Sequence, residues 1–490
     1  MLPDKPKSFC GIFGAFGSTN ASFITYYGLH ALQHRGQEAS GIVTAEKKLN
    51  GKSIFNIHKG LGLVSEIYDD DILMNLLKGF SAIGHNRYST TGASDSSKNI
   101  QPFMVNYRLG HLAVAHNGNL TNSHILREQL VNEGAIFQTT SDTEVILHLI
   151  ARSKLNDQVD QIKEALEKVE GAYCIVILTD DKLIAARDPL GFRPLSLGKL
   201  NGTYLFASES CAFDINLAEF IRDVEPGEMV IIDSKVIENH RPKSVRIKEA
   251  PLFKKQCIFE NIYFSRPDSK IFGHNVDKVR RKLGKVLAKN HPVRDKDGGK
   301  VIVISVPDSS NTAAMGYENQ LEKDNIKAKF EIGLIRSHYI GRTFIQPGQQ
   351  KREIGVRIKF NVVKGVLHNK TVVIVDDSIV RGTTSKQLIN LIKEAEPKEI
   401  HIRISSPPII NPCYYGMDFP SKEELIAYRM NRSIEKIREY LEVDSLEYLT
   451  IDEMLQAMVD QNPNDFCTAC FSGIYPTEVS PTFTKEVYEE

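Results

Sequence analysis

Residues 372–385, VVIVDDSIVRGTTS, leave few options for the second half of this chain. A β-branched run leads straight into two carboxylates, Asp376 and Asp377, and a loop of hydroxyls and glycine then opens a helix-compatible stretch. The same order, strand then helix, recurs from 301 in VIVISVPDSS. Such alternation calls for a parallel sheet with helices on its faces. The loop after the strand has the makings of an anion site. Backbone N–H groups and hydroxyls of Gly382, Thr383 and Thr384 can surround a phosphate at a helix N-terminus. The acidic pair suits sugar hydroxyls, or a Mg²⁺ ion that also touches a pyrophosphate. Asp308, Ser309 and Ser310 end the neighbouring strand at the same sheet edge, where they would adjoin the metal or the pyrophosphate.

The first half has a different texture. From residue 10 to about 235, short strand-like runs such as CGIFGAFG, SGIVTAE, LAVAHNG and YCIVILT alternate with polar loops, and helical spacing appears at about 141–155 and 158–169. The polar, Pro-containing segment 235–256 is expected to link the halves. Over 490 residues Lys+Arg and Asp+Glu both number 61. A zero balance argues against a general nucleic-acid or membrane-surface binder. The absence of a bilayer-length apolar run and the seven thinly spread cysteines lead to the expectation of a cytoplasmic protein. The neutral total conceals one local excess. Between Arg336 and Lys370 lie eight basic residues and one acid, around a Gly- and Pro-containing segment, 339–353, suited to closing over a polyphosphate.

Cys10 lies in FCGIFG, nine residues from the start. An α-amino group can take a thiol's proton if the cysteine is the first residue, so removal of 1–9 as a propeptide would arm it. Three polar clusters supply what a free amino acid with a side-chain amide needs. Arg87 can pair with an α-carboxylate and Asp142 with an α-ammonium. The Asn117 side chain and the Gly118 N–H can stabilise an oxyanion.

CGIFG (10–14), HRGQEASGI (34–42), GHNRYST (84–90), AHNGNL (115–120) and SDTE (141–144) closely resemble the N-terminal-nucleophile class II glutamine amidotransferases. That resemblance implies an αββα sandwich over 10–240, with Cys10 as nucleophile and Asn117 and Gly118 at the oxyanion. It assigns Arg87, Thr90 and Asp142 to glutamine. The stretch 372–385 resembles the phosphoribosylpyrophosphate (PRPP) loop of type I phosphoribosyltransferases. This second resemblance implies a parallel-sheet domain over 257–420 and a helical extension over 421–490. PRPP would be held by Asp376, Asp377, Ser378, Arg381, Gly382, Thr383 and Thr384, with Mg²⁺ at Ser309, Asp376 and Asp377. The two modules in this order, with YFSRPDS (263–269) and YIGRTFIQPGQ (339–349), resemble the amidophosphoribosyltransferase family. Its members transfer ammonia from glutamine to C1 of PRPP to open purine synthesis. A homotetramer inhibited by purine nucleotides is implied as well. Enzymes sharing only the first half, such as sugar-phosphate aminotransferases, lack a counterpart to DDSIVRGTT. A silent nucleotide-binding regulator is the remaining alternative.

Cys467-Thr-Ala-Cys470 taken alone could be a zinc half-site, a redox pair or half of an iron–sulfur site. The contexts of Cys257 and Cys413 resemble the cluster-bearing branch of the family, which implies a structural 4Fe–4S cluster on Cys257, Cys413, Cys467 and Cys470. Cys174 and Cys211 are expected to be packing residues, and His34, His85 and His116 hydrogen-bonded scaffold.

Overall fold

In the first half, alternate residues of each strand are apolar on both faces, so each sheet must be covered twice. The computed structural model describes residues 10–47, 53–88, 97–249, 251–337, 357–417, 419, 421–458 and 461–479. Seven antiparallel strands form one sheet, with Gly11–Phe16 between Thr203–Ala207 and Ser81–Arg87. Six form the other, with Gly171–Thr179 and Lys182–Arg187 at its middle and Gly110–Leu120 paired to the former. Ile12, Val43 and Ile83 of the first sheet pack against Ala113, Ala115, Cys174 and Val176 of the second. One residue along, Phe13 and Ala15 turn to the helix Ala21–Ala31. Leu112, Val114, Ile175 and Ile177 turn to the helices Thr143–Arg152 and Gln158–Lys168. The result is the expected four layers, αββα. Each fully buried aliphatic side chain contributes roughly 1.5–3 kcal/mol, so strands apolar on both faces favour a covering layer on each.

The second half has a five-stranded sheet ordered Ala328–Phe330, Val301–Ser305, Thr371–Asp376, Glu399–Ile404, Ser445–Tyr448, parallel throughout. Val301, Val303, Val373 and Val375 face the helices Val276–Asn290 and Asn311–Lys323. Ile302, Ile304, Val372 and Ile374 face the helix Thr383–Lys393. Two covered faces explain why these strands read as unbroken apolar runs.

Two expected boundaries are corrected. The stretch 235–256 is not simply a link: it supplies the helix Ser234–Asn239 and the strand Lys243–Arg246, which pairs with Glu228–Ile231 at the edge of the second sheet. The first domain therefore runs past 240. Its charged outer residues disguised an edge strand, where one face meets solvent. The extension over 421–490 is not wholly helical either. Ser445–Tyr448 buries Leu446 and Tyr448 and completes the parallel sheet.

Candidate active sites

Strand pairing assembles the first site. Gly11 lies opposite Asn86, which sets Cys10 beside the end of Ser81–Arg87. Its thiol donates to the Tyr88 carbonyl oxygen at 3.4 Å. One cleft is lined by Cys10, Arg87, Gly118 and Asp142, together with His85, Tyr88, Asn99, Gln101, His116 and Ser141. The structure thus brings together four of the residues expected at a glutamine site. Thr90, residues 1–9 expected as a propeptide, and the segment 339–353 lie outside the described residues.

The electrostatics of the cleft are uneven. Burial pushes the Cys10 thiol up to about 11, against the opposing pull of the Tyr88 hydrogen bond and the Arg87 charge. The thiol is therefore protonated at neutral pH. Burial acts to raise Asp142 too, but His116 and hydrogen bonds from Leu120 N–H and Thr143 outweigh it, so the carboxyl is held below its usual range. It is an anion, as an α-ammonium partner must be. His85 is driven down to about 3 by burial and by Arg87 and His116, so it is a neutral ring. His116 meets Thr143 Oγ1 at 3.0 Å and His34 meets Glu209 at 2.8 Å.

Asn117 is wholly buried, with Nδ2 3.4 Å from Ser208 Oγ, and its Oδ1 has no hydrogen-bond partner. At Gly118 a side chain has no room: a Cβ would lie 2.0 Å from the Ala172 carbonyl oxygen on the paired strand and 2.8 Å from His116 Nε2. Gly118→Ala is therefore expected to destabilise the first domain by about 1–3 kcal/mol through strand displacement. Glutamine hydrolysis should fall while ammonia-dependent activity persists. A urea midpoint and a glutaminase assay that both match the parent would contradict this.

The second site lies at the C-terminal edge of the parallel sheet. Asp376 ends its strand, and both acids are buried. Ser310 Oγ donates to Asp376 at 2.9 Å and to Asp377 at 3.2 Å, Ser309 Oγ donates to Asp377, and Ser378 Oγ donates to Asp377 at 2.8 Å. The two strand-end motifs therefore meet, as expected from their common edge. Gly382 caps the following helix at φ +80°, and a Cβ there would fall 2.3 Å from Ile426 Cδ1. The Thr383 hydroxyl is buried without a hydrogen-bond partner, which suits an anion acceptor at this helix start. Arg381 Nε donates to Glu424 at 2.7 Å, so in this state its side chain is engaged by the C-terminal extension.

The four cysteines assigned to a cluster gather in one apolar core. Cys257 and Cys467 lie opposite each other in a two-stranded parallel pairing, and Cys470 O accepts the Ile410 and Asn411 N–H groups. Tyr415 N–H donates to Cys413 Sγ at 3.3 Å. Burial raises the Cys257 thiol to about 11, with Arg193 opposing; Cys467 and Cys470 are raised further, in part by their neighbouring cysteines. Among the described residues, no three His, Cys, Asp or Glu side chains are arranged to hold a single ion. A 4Fe–4S cluster is larger and takes one thiolate per iron. Four buried sulfurs, one already accepting a backbone N–H, fit that group. Cys174 and Cys211 are buried in the first half, each in a different apolar core.

Several cleft residues went unassigned in the sequence. Gln101 accepts His116 N–H at 2.7 Å and donates to Thr143 at 3.1 Å, so it fixes the strand that carries Gly118. A buried charge cluster of Arg35, Arg193, Glu209 and Glu260 was missed as well. Its only signal was a lone acid inside the apolar run IFENIYF.

Comparison with known proteins adds the following. A glutamine amidotransferase domain family matches residues 85–214. Amidophosphoribosyltransferase 1 of Arabidopsis thaliana, a chloroplastic protein, is 48% identical over 98% of this chain and 81% of its own length. The amidophosphoribosyltransferase of Bacillus subtilis is 47% identical over 96% of this chain and 94% of its own. The solved B. subtilis glutamine PRPP amidotransferase, complexed with ADP and GMP, superposes with a TM-score of 0.87 at 46% identity, covering 97% of this chain and 99% of that one. A structure described as the allosteric regulatory enzyme of purine biosynthesis gives 0.88 at 45% identity, with 98% and 100% covered.

Proposed function

This chain belongs to the amidophosphoribosyltransferase family, and from that premise we propose how its residues carry out the family reaction. The protein is a glutamine-dependent phosphoribosyltransferase acting at the first committed step of purine synthesis. The observation that carries the residue assignment is the shared cleft of Cys10, Arg87, Gly118 and Asp142, in one chain with the acid pair and its helix-capping loop.

Arg87 and Asp142 hold the α-carboxylate and α-ammonium of glutamine, a role that Thr90 is assigned to share. Once residues 1–9 are removed, the new α-amino group of Cys10 takes the thiol proton, and Sγ attacks the side-chain amide carbon. Asn117 Nδ2 and the Gly118 N–H stabilise the oxyanion. The C–N bond breaks, ammonia leaves, and water cleaves the thioester to glutamate. Ammonia then attacks C1 of PRPP. The C1–O bond breaks and pyrophosphate departs, giving 5-phosphoribosylamine. Asp376 and Asp377 orient the ribose hydroxyls. Ser378, Arg381, Gly382, Thr383 and Thr384 hold the 5-phosphate. Ser309, Asp376 and Asp377 would hold Mg²⁺, which would supply positive charge to offset that of the departing pyrophosphate.

Cys257, Cys413, Cys467 and Cys470 would hold a 4Fe–4S cluster that ties the domain junction to the C-terminal tail. The chemistry at C1 moves no electron, so its role is structural. Purine nucleotides are assigned as inhibitors by analogy with the relative bound to ADP and GMP. A homotetramer and a cytoplasmic location complete the proposal.

A single anaerobic preparation tests these assignments together. It should release pyrophosphate only with PRPP plus glutamine or ammonia, begin at Cys10 by intact mass, and carry about four irons per chain. Absence of pyrophosphate release overturns the catalytic assignment. Active protein retaining Met1–Phe9 overturns the N-terminal nucleophile, and colourless active protein overturns the cluster.

A further inference from the structure

One carboxylate of the second half is buried against Arg35 of the first, the residue that holds the Cys10 carbonyl. Glu260 begins the π-helical turn Glu260–Phe264, three residues after Cys257, and has no exposed surface. Its oxygens accept from Arg35 Nη2 at 2.7 Å, Arg35 Nη1 at 3.0 Å, Arg193 Nη1 at 3.2 Å and Ser265 Oγ at 2.8 Å. Arg35 is equally buried, and its Nε donates to the carbonyl oxygen of Cys10 at 3.3 Å. Its Nη1 also meets Glu209 of the first half. The turn itself is fastened by Arg280, which donates to the carbonyls of Asn261 at 2.9 Å and Ser265 at 2.7 Å.

A two-pronged carboxylate grip sets the plane of a guanidinium, and with it the direction of its third nitrogen. Here that nitrogen holds the peptide unit immediately following the Cys10 Cα. Rotation of that unit swings the Cα–Cβ bond and carries Sγ with it. The guanidinium is set by Glu260, which the first half does not supply. Glu209 alone meets only one end of Arg35.

We propose that Glu260 is a positioning residue for Cys10, acting through Arg35, so that the nucleophile is correctly aimed only when the second half is docked on the first. This rests on the reading of Cys10 as the nucleophile. The test uses the full-length, anaerobically purified chain and the variant Glu260→Gln, which keeps the shape and removes the charge. The turnover number for glutamine hydrolysis should fall about 100-fold, the scale of a misplacement near 1 Å, with the glutamine KM held within about threefold because Arg87 and Asp142 are untouched. Ammonia-dependent synthesis should change by less than about twofold. Ser265→Ala, which removes one hydroxyl hydrogen bond to the Glu260 carboxylate, should show the same pattern at roughly fivefold.

Equal loss of both reactions in a folded Glu260→Gln protein, a raised KM at unchanged turnover, or no change would each overturn the proposal. If Glu260→Gln does not fold, Ser265→Ala decides: a fall confined to glutamine turnover supports the proposal, and any other result overturns it. Cys10→Ala serves as the separate control. Glutamine hydrolysis persisting in that variant refutes the nucleophile reading itself, whatever Glu260→Gln does.

Discussion

Cys10→Ala is expected to lose glutamine-dependent synthesis by at least about 10³-fold while keeping synthesis from ammonia, because a nucleophile has no partial substitute. The two nitrogen sources part company because the reactions occur at separate places. Cys10 immediately precedes the strand Gly11–Phe16 in the four-layer half, whereas Asp376 ends a strand of the parallel sheet. The thiol lies in a closed, polar setting, held by the Tyr88 carbonyl and raised by burial to about 11. Alanine removes one sulfur from that setting and leaves the Gly11–Phe16 pairings in place. The paired measurement is pyrophosphate release with glutamine and then with ammonium at a pH where free ammonia is appreciable. Equal loss with both would show that the sites are not separable. Retained glutamine use would show that another group is the nucleophile.

The opposite selectivity is expected at the sheet edge. Asp376→Asn and Asp377→Asn should each lower turnover by roughly 10²–10³-fold with both nitrogen sources, and leave glutamine hydrolysis measured without PRPP nearly intact. Each amide replaces an acceptor with a donor. Asp377 accepts from Ser309, Ser310 and Ser378, and Asp376 accepts from Ser310 and the Asp377 N–H. An amide nitrogen in either position faces hydroxyls already oriented to donate, and can no longer receive ribose hydroxyl protons or balance a cation. Of the two, Asp377 should be more severe, since three serine hydroxyls converge on it. Normal PRPP turnover in either variant would remove the acid pair from the site.

The local backbone of both candidate sites was legible because it is carried by contiguous strings. VVIVDD followed by SIVRGTTS contains its own strand, cap and anion loop, all within one βα unit. The αββα half was legible in outline, since short apolar runs bounded by polar loops are a short-range signal. What failed was local as well. Lys243–Arg246 is charged on its outer face and reads as a polar link, yet it pairs with Glu228–Ile231. Ser445–Tyr448 is too short to stand out from the charged helices around it, yet it extends the sheet.

By itself, then, the sequence determined which reactive groups exist and which local backbone carries each: a cysteine at a strand start, an acid pair at a strand end, a glycine where a left-handed cap is needed. The tertiary structure alone decided who meets whom. Arg35 and Glu260 are 225 residues apart, and Asn119 reaches the Tyr414 carbonyl across 295. Hydrophobic periodicity tells a strand which face to bury, but it is indifferent to which distant partner covers that face. Only strand order, register and the docking of one half on the other put a carboxylate from the second half against Arg35, which holds the Cys10 carbonyl of the first.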